Sequence, residues 1–425
     1  MMKKYFVLLL IFCCVSVFAS EPIRLGVISD IHFLSRKLVS DGVAYRNFQN
    51  ATGRNVNDLH AVLDAVLSDF EKEKTDILLI SGDLTNHGER ESHLDFIEKL
   101  KPLQQRGTRI FVIPGNHDVN IPDAKAYRGG TPTPVKSISK EEFAELYAPF
   151  GYGSALKKDT ASLSYLAEIN ENTWLLCFDT NSYLENTVTS ISAGRILPET
   201  MAWALEILHE ARQKDITVLG MMHHGLVEHL PYQSTFFANY LVENWKKNAE
   251  TLADAGLRVV FTGHFHANDV TLLTSPAGNI VYDVETASLA QYPFAYRVMQ
   301  LCDDKLFIDT RFVTYVPGNL NLAEQARSFS ENLIRRTAKN RINSLGIPLP
   351  AETADALAEL IVPMTLLHFR GDEKPDDEMK KALRSFAELL GDEESDTDFE
   401  LDFPPADNKF VINLGASISK SKKIE

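Results

Sequence analysis

The amino-acid sequence predicts an α/β fold, in which apolar β-strands alternate with amphipathic helices. From Ile23 onward, six short and nearly continuous apolar segments end in polar residues: IRLGVISD, DILLISGD, RIFVIPGNHD, TWLLCFDT, ITVLGMMHH and LRVVFTGHFH. Segments with helical periodicity lie between them: DLHAVLDAVLSDFEKEK, ERESHLDFIEKLKPLQQ, PETMAWALEILHEARQ and NYLVENWKKNAETLADAG. Because these strands are apolar along their whole length, we expect sheets that are covered on their faces by other layers.

The second half of the chain has a different pattern. DVTLLTS, NIVYDVET and AYRVMQLCDDKLFIDTRFV follow one another without intervening helices, which predicts that part of the sheet is antiparallel. Three helical segments then follow, LAEQARSFSENLIRRTAKNRINSL, AETADALAELIVPMTLLHF and DDEMKKALRSFAELL, and Pro363 is expected to bend the second. The acidic stretch DEESDTDFE is most simply a solvated loop. We therefore predict a main domain over 20–316, a C-terminal helical subdomain over 317–400 and a tail over 401–425.

The N-terminus has the pattern of a secretory signal peptide over residues 1–19. Lys3 and Lys4 precede an apolar run, and small residues surround Ala19, where cleavage is expected. The run is shorter than the roughly 20 residues of a membrane-spanning helix, so an uncleaved anchor is the weaker alternative. We expect an exported protein, secreted, periplasmic or associated with the cell envelope, without a transmembrane segment after cleavage. Cys177 and Cys302 then remain, and a disulfide and two free thiols fit equally well.

The charge of the chain limits its partners. The formal net charge is -15 and the pI is about 5.3, which argues against binding of extended nucleic acid, because a polyanion would be repelled. A small anionic substrate stays compatible with this charge if metal cations supply positive charge locally. The oligomeric state is left open.

Candidate metal ligands stand at the ends of the predicted strands. They are Asp30 and His32 in SDIH, Asp83 in SGDLTN, Asn116, His117 and Asp118 in PGNHD, His223 and His224 in MMHHG, and His264 and His266 in GHFH. Each motif alone also fits an ordinary polar turn, but the carboxyl ends of strands in an open α/β sheet meet in one crevice. Carboxylates, an amide oxygen and imidazoles suit Mn, Fe, Zn or Co. The sequence therefore predicts a shared metal site.

The order of these motifs resembles the calcineurin-like metallophosphoesterase superfamily, whose pattern runs DxH, GDxx(D/N), GNH(D/E), H and GHxH. The resemblance covers Ile23 to about Val313 and implies a sandwich of two mixed β-sheets flanked by helices. It also implies two divalent metal ions and attack of a metal-bound hydroxide on phosphorus. By this resemblance the first metal is held by Asp30, His32 and His266, the second by Asn116, His223 and His264, and Asp83 bridges the two.

The resemblance also assigns roles around the metals. His117 is expected to stand near the leaving group as the catalytic residue that donates a proton or binds phosphate; its alternative role is to shape the loop. Asp118 is expected to fix this loop by hydrogen bonds, and His224 to support the ligands or the fold.

One motif departs from the protein-phosphatase branch, where GDxxDRG supplies an aspartate and an arginine. Here Asn86 and His87 occupy those positions in GDLTNHG. Asn86 is expected to orient His117 without stabilising its charge as a carboxylate would. The missing arginine favours a monoanionic diester over a dianionic monoester, unless His87 itself binds phosphate.

The closer resemblance is to secreted bacterial class III cyclic-nucleotide phosphodiesterases, in TDILLISGDLTNHGE, VIPGNHDVN, FGYGSAL and SLSYLA and in the C-terminal helical extension. It implies hydrolysis of small phosphodiesters such as 3',5'-cyclic nucleotides. The alternatives are an exported phosphomonoesterase or nucleotidase, a non-catalytic metal-containing binding protein, and a nuclease, which the acidic charge disfavours. The insertion over 34–55 is a candidate wall or lid, in which Tyr45, Arg46 and Phe48 either meet the substrate or belong to a surface loop.

Overall fold

In a computed structural model of the chain, the structure describes residues 21–231, 233–344, 350–381, 384 and 404–415. The predicted signal peptide, the greater part of the third C-terminal helix and the acidic stretch over 392–400 lie outside the described residues. Among the helices of the described residues, none combines the length and the apolarity that a membrane crossing requires.

Strands and helices alternate along the first two thirds of the chain. The strands are β1 (Ile23–Ile28), β2 (Ile77–Ile80), β3 (Arg109–Val112), β4 (Lys125–Ala126), β5 (Thr133–Pro134), β6 (Lys157–Lys158), β7 (Tyr165–Asn170), β8 (Thr173–Cys177), β9 (Thr217–Met221), β10 (Val259–Thr262), β11 (Val270–Thr274), β12 (Ile280–Glu285), β13 (Ala295–Cys302), β14 (Lys305–Phe312) and β15 (Lys409–Asn413). The α-helices with complete bounds are α1 (Val43–Thr52), α2 (Leu59–Lys72), α3 (Arg90–Gln105), α4 (Lys140–Leu146), α5 (Pro198–Gln213), α6 (Gln233–Phe236), α7 (Trp245–Ala255), α8 (Leu322–Ser344) and α9 (Ala351–Arg370).

The strands form two large mixed sheets. The first has the order β15-β14-β13-β1-β2-β3, in which β1, β2 and β3 are parallel and the other neighbours are antiparallel. The second has the order β11-β12-β10-β9-β8-β7-β6, with a parallel centre and antiparallel edges. A small ribbon pairs β4 with β5. This architecture confirms the predicted α/β sandwich of two mixed sheets flanked by helices.

One hydrophobic core contains side chains from both sheets. Val27 of β1 and Leu175 of β8 belong to it, and both are fully buried. The next residue, Leu176, points to the opposite face of the second sheet because side chains alternate along a strand. There it belongs to a second core with Ala204 of α5 and Leu252 of α7. Burial of such side chains stabilises the fold by about 1.5–3 kcal/mol each. The parallel strands, and the loops that follow them, are thereby held rigidly.

The C-terminal region contains helices and one strand. Helices α8 and α9 pack against each other, and α9 continues through Pro363. The sequence analysis assigned no element to the tail, but residues Lys409–Asn413 form β15, which pairs antiparallel with β14 at the edge of the first sheet. The chain therefore returns to the main sheet after the helices. Cys177 and Cys302 are both free thiols.

Candidate metal centre

The strand-end loops carry an unusual backbone conformation. Positive φ angles occur at Asp30 (50°), His32 (45°), Asp83 (49°), His264 (71°) and His266 (64°). A left-handed residue that is not glycine costs roughly 1–2 kcal/mol, and such residues concentrate at functional sites. The structure thus bends the chain sharply after β1, β2 and β10, at the residues that the sequence singled out.

Four of these residues form a first group, called group one, made of Asp30, His32, Asp83 and His266. The His32 Nε2 atom lies 3.1 Å from His266 Nε2 and 3.5 Å from Asp83 Oδ2. The Asp30 Oδ1 atom lies 3.2 Å from His266 Nε2 and 3.9 Å from His32 Nε2. His32, Asp30 and Asp83 are buried, whereas the side chain of His266 is 20% exposed. Nitrogen and oxygen donors from three loops therefore surround one point.

A second group, group two, consists of Asp83, Asn116, His223 and His264. The His223 Nε2 atom lies 3.5 Å from Asp83 Oδ1 and 3.2 Å from Asn116 Oδ1. One ligand atom each from Asp83, His223 and His264 lies within 4.8 Å of the others. Asp83 belongs to both groups and offers Oδ2 to one and Oδ1 to the other. A carboxylate placed in this way would offer one oxygen to each of two cations, which is the bridging role that the sequence resemblance implies.

Backbone carbonyls orient the imidazoles of group two. His223 Nδ1 lies 2.9 Å from the carbonyl oxygen of Ser81, and His264 Nε2 lies 2.9 Å from that of Ser192. A ring nitrogen facing a carbonyl oxygen carries the proton, so the other nitrogen has a lone pair for a metal. The available nitrogens are therefore Nε2 of His223 and Nδ1 of His264.

The charges of the site fit bound cations. Burial opposes ionisation of Asp83, but His223, His117 and His32 outweigh it and hold the pKa of Asp83 well below its ordinary value. Burial would lower the pKa of His223, but Asp83 and Asp30 raise it to about 9. In the absence of metals, His223 therefore carries an additional proton. This positive charge lies among the ligand atoms, where a bound cation would also be stabilised.

Two further observations show that the donors fit metals. Asp30 Oδ1 is buried and has no hydrogen-bond partner, which is costly unless something positive binds it. A Cβ atom on Gly115 would overlap Asp83 Oδ1, so glycine is needed for the loop after β3 to approach this carboxylate. Carboxylates, an amide and imidazoles are the donors that borderline divalent metals prefer.

His117 lies beside both groups and is part of a hydrogen-bonded chain. Its backbone N–H donates to Asp83 Oδ1 over 2.9 Å, and its ring centroid lies 5.2 Å from that of His32. His117 Nδ1 lies 2.8 Å from His87 Nδ1, and His87 Nε2 lies 2.7 Å from Asp123 Oδ1. We call these three residues the histidine relay. Asp123 was not anticipated from the sequence, because no motif links it to PGNHD.

The expectation that Asn86 orients His117 is wrong. The side-chain N–H of Asn86 donates to Glu89 Oε1 over 2.9 Å, and its carbonyl Oδ1 accepts from Arg54 over 2.6 Å. The backbone bends at Asn86 and His87, and His87, the next residue, takes the position beside His117.

Arg54 is a second residue that the sequence analysis missed. It follows Gly53, whose left-handed conformation ends α1, and it also donates to the backbone carbonyl of Asn86 over 2.9 Å. Burial lowers the pKa of Arg54, while Asp83 and Glu89 raise it; in turn the positive charge of Arg54 lowers the pKa of His117. The site therefore has a guanidinium close to its ligand groups.

The remaining predicted residues have structural contacts. Asp118 accepts hydrogen bonds from the backbone of Leu84, Thr85 and Gly115, over 3.0, 2.9 and 2.8 Å, and so ties the loops after β2 and β3 together. Burial and the nearby Asp83 raise the pKa of Asp118 to about 7. His224 is buried, with Nδ1 lying 2.7 Å from Thr180 Oγ1 and Nε2 3.1 Å from the carbonyl oxygen of Ser192.

The three insertion residues singled out from the sequence contact residues outside these groups. Tyr45 donates its hydroxyl to Asn57 over 3.0 Å, and Arg46 pairs with Asp41 over 2.6 Å. Phe48 stacks on Tyr127 with ring centroids 4.0 Å apart. The insertion contributes Arg54 to the site through its last turn instead.

Comparison with known proteins identifies the family. The calcineurin-like phosphoesterase family matches residues 23–268, more than half of the chain, so this chain belongs to that family. The family depends on two metals and hydrolyses phosphoric esters, and the predicted superfamily is thereby confirmed. A comparison with curated proteins finds no match.

Solved structures that are similar to this chain come from a fish, a plant and a bacterium. A dimetal phosphatase from Danio rerio is 13% identical, with a TM-score of 0.48 and an alignment covering 68% of this chain and 96% of the fish protein. Purple acid phosphatase PPD1 from yellow lupin (Lupinus luteus) seeds is 11% identical, with a TM-score of 0.41 and coverages of 69% and 52%. The NAD nucleotidase NadN of Haemophilus influenzae is 13% identical, with a TM-score of 0.35 and coverages of 69% and 50%.

Proposed function

We propose that this chain is an exported dinuclear-metal phosphodiesterase that hydrolyses small phosphodiesters, in particular 3',5'-cyclic nucleotides. The observation that carries the proposal is the histidine relay beside two ligand groups that share Asp83. Support for the cyclic-nucleotide substrate comes from the sequence resemblance, and support for export comes from the signal-peptide pattern over residues 1–19.

In this proposal groups one and two each hold one divalent ion, Mn, Fe, Zn or Co. When bound, the ions supply Lewis acidity that lowers the pKa of water and offsets the charge of the phosphoryl group. Two divalent ions carry four positive charges, and the carboxylates of Asp30 and Asp83 cancel two of them. The remaining charge, together with Arg54, suits an anionic ester.

In this proposal His117 is the proton donor for the leaving oxygen. Burial, together with the charge of Arg54, keeps the pKa of His117 well below its ordinary value despite Asp83, which favours a neutral ring. In the proposed acid form of the relay, His87 donates through Nε2 to Asp123 and through Nδ1 to His117 Nδ1. His117 then holds its own proton on Nε2 and gives it to the departing alkoxide, while the His87 proton replaces it through Nδ1.

The role of Asp123 can be tested with Asp123→Asn. Without the carboxylate, the relay loses the negative charge beside His87, so kcat should fall about tenfold and the pH profile of kcat/KM should differ from that of the wild type. The metal content should not change. Asp76→Asn, at a carboxylate that pairs with Arg24 on the surface, is the matched control. An Asp123→Asn profile that coincides with the wild-type profile would remove Asp123 from the mechanism.

A second candidate function, phosphomonoester or nucleotide hydrolysis, is favoured by Arg54. A diester is favoured because the arginine of the GDxxDRG motif is missing, but Arg54 supplies a guanidinium from another loop. A guanidinium suits the dianionic phosphate of a monoester, because its fork of donors can bind two oxygens.

A substrate panel on Mn²⁺-reconstituted protein separates these functions. We expect kcat/KM for bis(p-nitrophenyl) phosphate and 3',5'-cyclic AMP to exceed that for p-nitrophenyl phosphate and 5'-AMP by at least about tenfold. The second candidate would be established instead if the wild type preferred monoesters. Arg54→Ala should then remove this preference, and the exposed control Arg46→Ala should leave it intact. Retention of metal without hydrolysis of any ester would make the chain a binding protein.

A further inference from the structure

A second cluster of histidines and carboxylates lies away from groups one and two. It consists of His229, Asp269, Glu285, His368 and Glu373, which come from four separate parts of the chain. The side chains of His229, Asp269 and Glu373 are 0%, 1% and 2% exposed. His368 lies near the end of α9 and Glu373 in the loop that follows, so the cluster joins the C-terminal region to the main domain.

The side chains of three members converge. His368 Nδ1 lies 2.7 Å from Glu373 Oε1 and 3.4 Å from Asp269 Oδ2. One ligand atom from each of these residues lies within 4.8 Å of the others. Asp269 is held from its other side, because Asp269 Oδ1 lies 2.6 Å from His229 Nδ1.

Several polar atoms of the cluster have no hydrogen-bond partner. These atoms are Asp269 Oδ2, Glu285 Oε2, Glu373 Oε2, His229 Nε2 and His368 Nε2. A buried carboxylate oxygen without a donor is costly, and such atoms are rare in folded proteins. Two of the unpartnered oxygens belong to the converging residues Asp269 and Glu373.

The imidazoles face some of these atoms only at ion-pair distances. His368 Nδ1 lies 3.4 Å from Asp269 Oδ2, and His229 Nε2 lies 3.4 Å from Asp283 Oδ2 and 3.7 Å from Glu285 Oε2. The buried Arg297 donates to the carbonyl oxygens of Asp407 and Glu285 and to the hydroxyls of Thr286 and Thr310. Its hydrogen bonds therefore go to neutral acceptors. Burial raises the pKa of Glu285 to about 8, even though His229 lowers it. The cluster thus keeps buried carboxylate oxygens that its hydrogen bonds do not satisfy.

We propose that Asp269, His368 and Glu373 form a third divalent-cation site, distinct from the dinuclear centre. Mixed carboxylate and imidazole donors suit an ion such as Mn²⁺ or Zn²⁺. Donors about 2.1 Å from such an ion lie roughly 3–3.4 Å from one another, which matches the separation of His368 Nδ1 and Asp269 Oδ2. The 2.7 Å between His368 Nδ1 and Glu373 Oε1 is a hydrogen bond, which the ion would replace. His229 fixes the orientation of the Asp269 carboxylate, as carboxylate and imidazole partners do behind metal ligands.

The location of this site suggests a structural role. The ring of His368 lies 5.4 Å from the ring of Phe265. In the chain, Phe265 stands between the candidate ligands His264 and His266. The backbone N–H of Asn268 donates to the carbonyl oxygen of His368 over 3.4 Å. An ion bound by Asp269 and His368 would therefore fasten α9 to the loop that holds two ligands of the dinuclear centre.

Metal counting on the full chain tests the proposal. The protein is loaded with Mn²⁺, freed of excess metal by gel filtration, and its manganese is measured by mass spectrometry. We expect three ions per wild-type chain, two per Glu373→Gln chain and three for the control Glu378→Gln, at an exposed glutamate in the same segment. Two ions in the wild type, or the same content in Glu373→Gln, would overturn the proposal.

A second measurement is independent of how the variant folds. Crystals of the Mn²⁺-loaded wild-type protein should give an anomalous peak between Asp269, His368 and Glu373, in addition to those at groups one and two. The absence of that third peak would contradict the proposal. Neither measurement depends on which ester the enzyme hydrolyses, so failure of the proposed function would leave this result standing.

Discussion

Asp83→Ala is expected to remove both metals and to lower kcat/KM by about a thousandfold, because several kcal/mol of transition-state stabilisation depend on the metals. Asp83 is the one residue among the proposed ligands that belongs to both ligand groups, with Oδ2 3.5 Å from His32 and Oδ1 3.5 Å from His223. Its loss also leaves two imidazoles without their counter-charge. Metal content per chain and kcat/KM on the same preparation measure the effect.

The control for this substitution is Asp64→Ala, which removes an exposed carboxylate paired with Lys99. It should retain both metals and wild-type activity. If Asp83→Ala kept two metals in groups one and two, the carboxylate would not be the bridge, and the assignment of both groups would have to be revised.

His117→Ala is expected to keep both metals and to lower kcat for 3',5'-cyclic AMP by about a hundredfold to a thousandfold, the usual contribution of general acid catalysis. The effect on bis(p-nitrophenyl) phosphate should be much smaller, since p-nitrophenolate departs without a proton. The contrast between the two substrates separates proton donation from a role in shaping the loop.

The matched control is His209→Ala, at an exposed histidine on α5. An equal loss on both substrates, or loss of metal from His117→Ala, would mean that His117 supports the loop and does not act on the leaving group. Comparison of the thermal unfolding of the two variants shows whether the loop after β3 has been disturbed.

The sequence predicted the part of the fold that depends on local pattern. Continuous apolar segments identified the parallel strands, and the polar residues at their ends identified the loops that meet at the site. The prediction succeeded because a strand that is buried on both faces is apolar along its length, which is visible in the segment itself. The order of strands and helices along the chain then indicates at which edge of the sheet the polar strand ends meet.

Contacts between distant segments were not predictable in this way. The edge strand β15 pairs with β14 about a hundred residues earlier, and no spacing rule connects them. Arg54 reaches the site from an insertion with no motif of its own. Asn86 and His87 are adjacent polar residues, and the choice between them depends on a turn of the backbone that composition does not reveal.

The left-handed backbone at Asp30, His32, Asp83, His264 and His266 restricts which amino acids these positions accept. Valine, isoleucine and threonine rarely adopt this conformation, whereas aspartate, asparagine and histidine enter it several times more often than other side chains. Glycine adopts it freely but offers no donor atom. Natural substitution at these five positions should therefore be confined to aspartate, asparagine and histidine. Divergent homologues are expected to exchange these three residue types without a change in the loops.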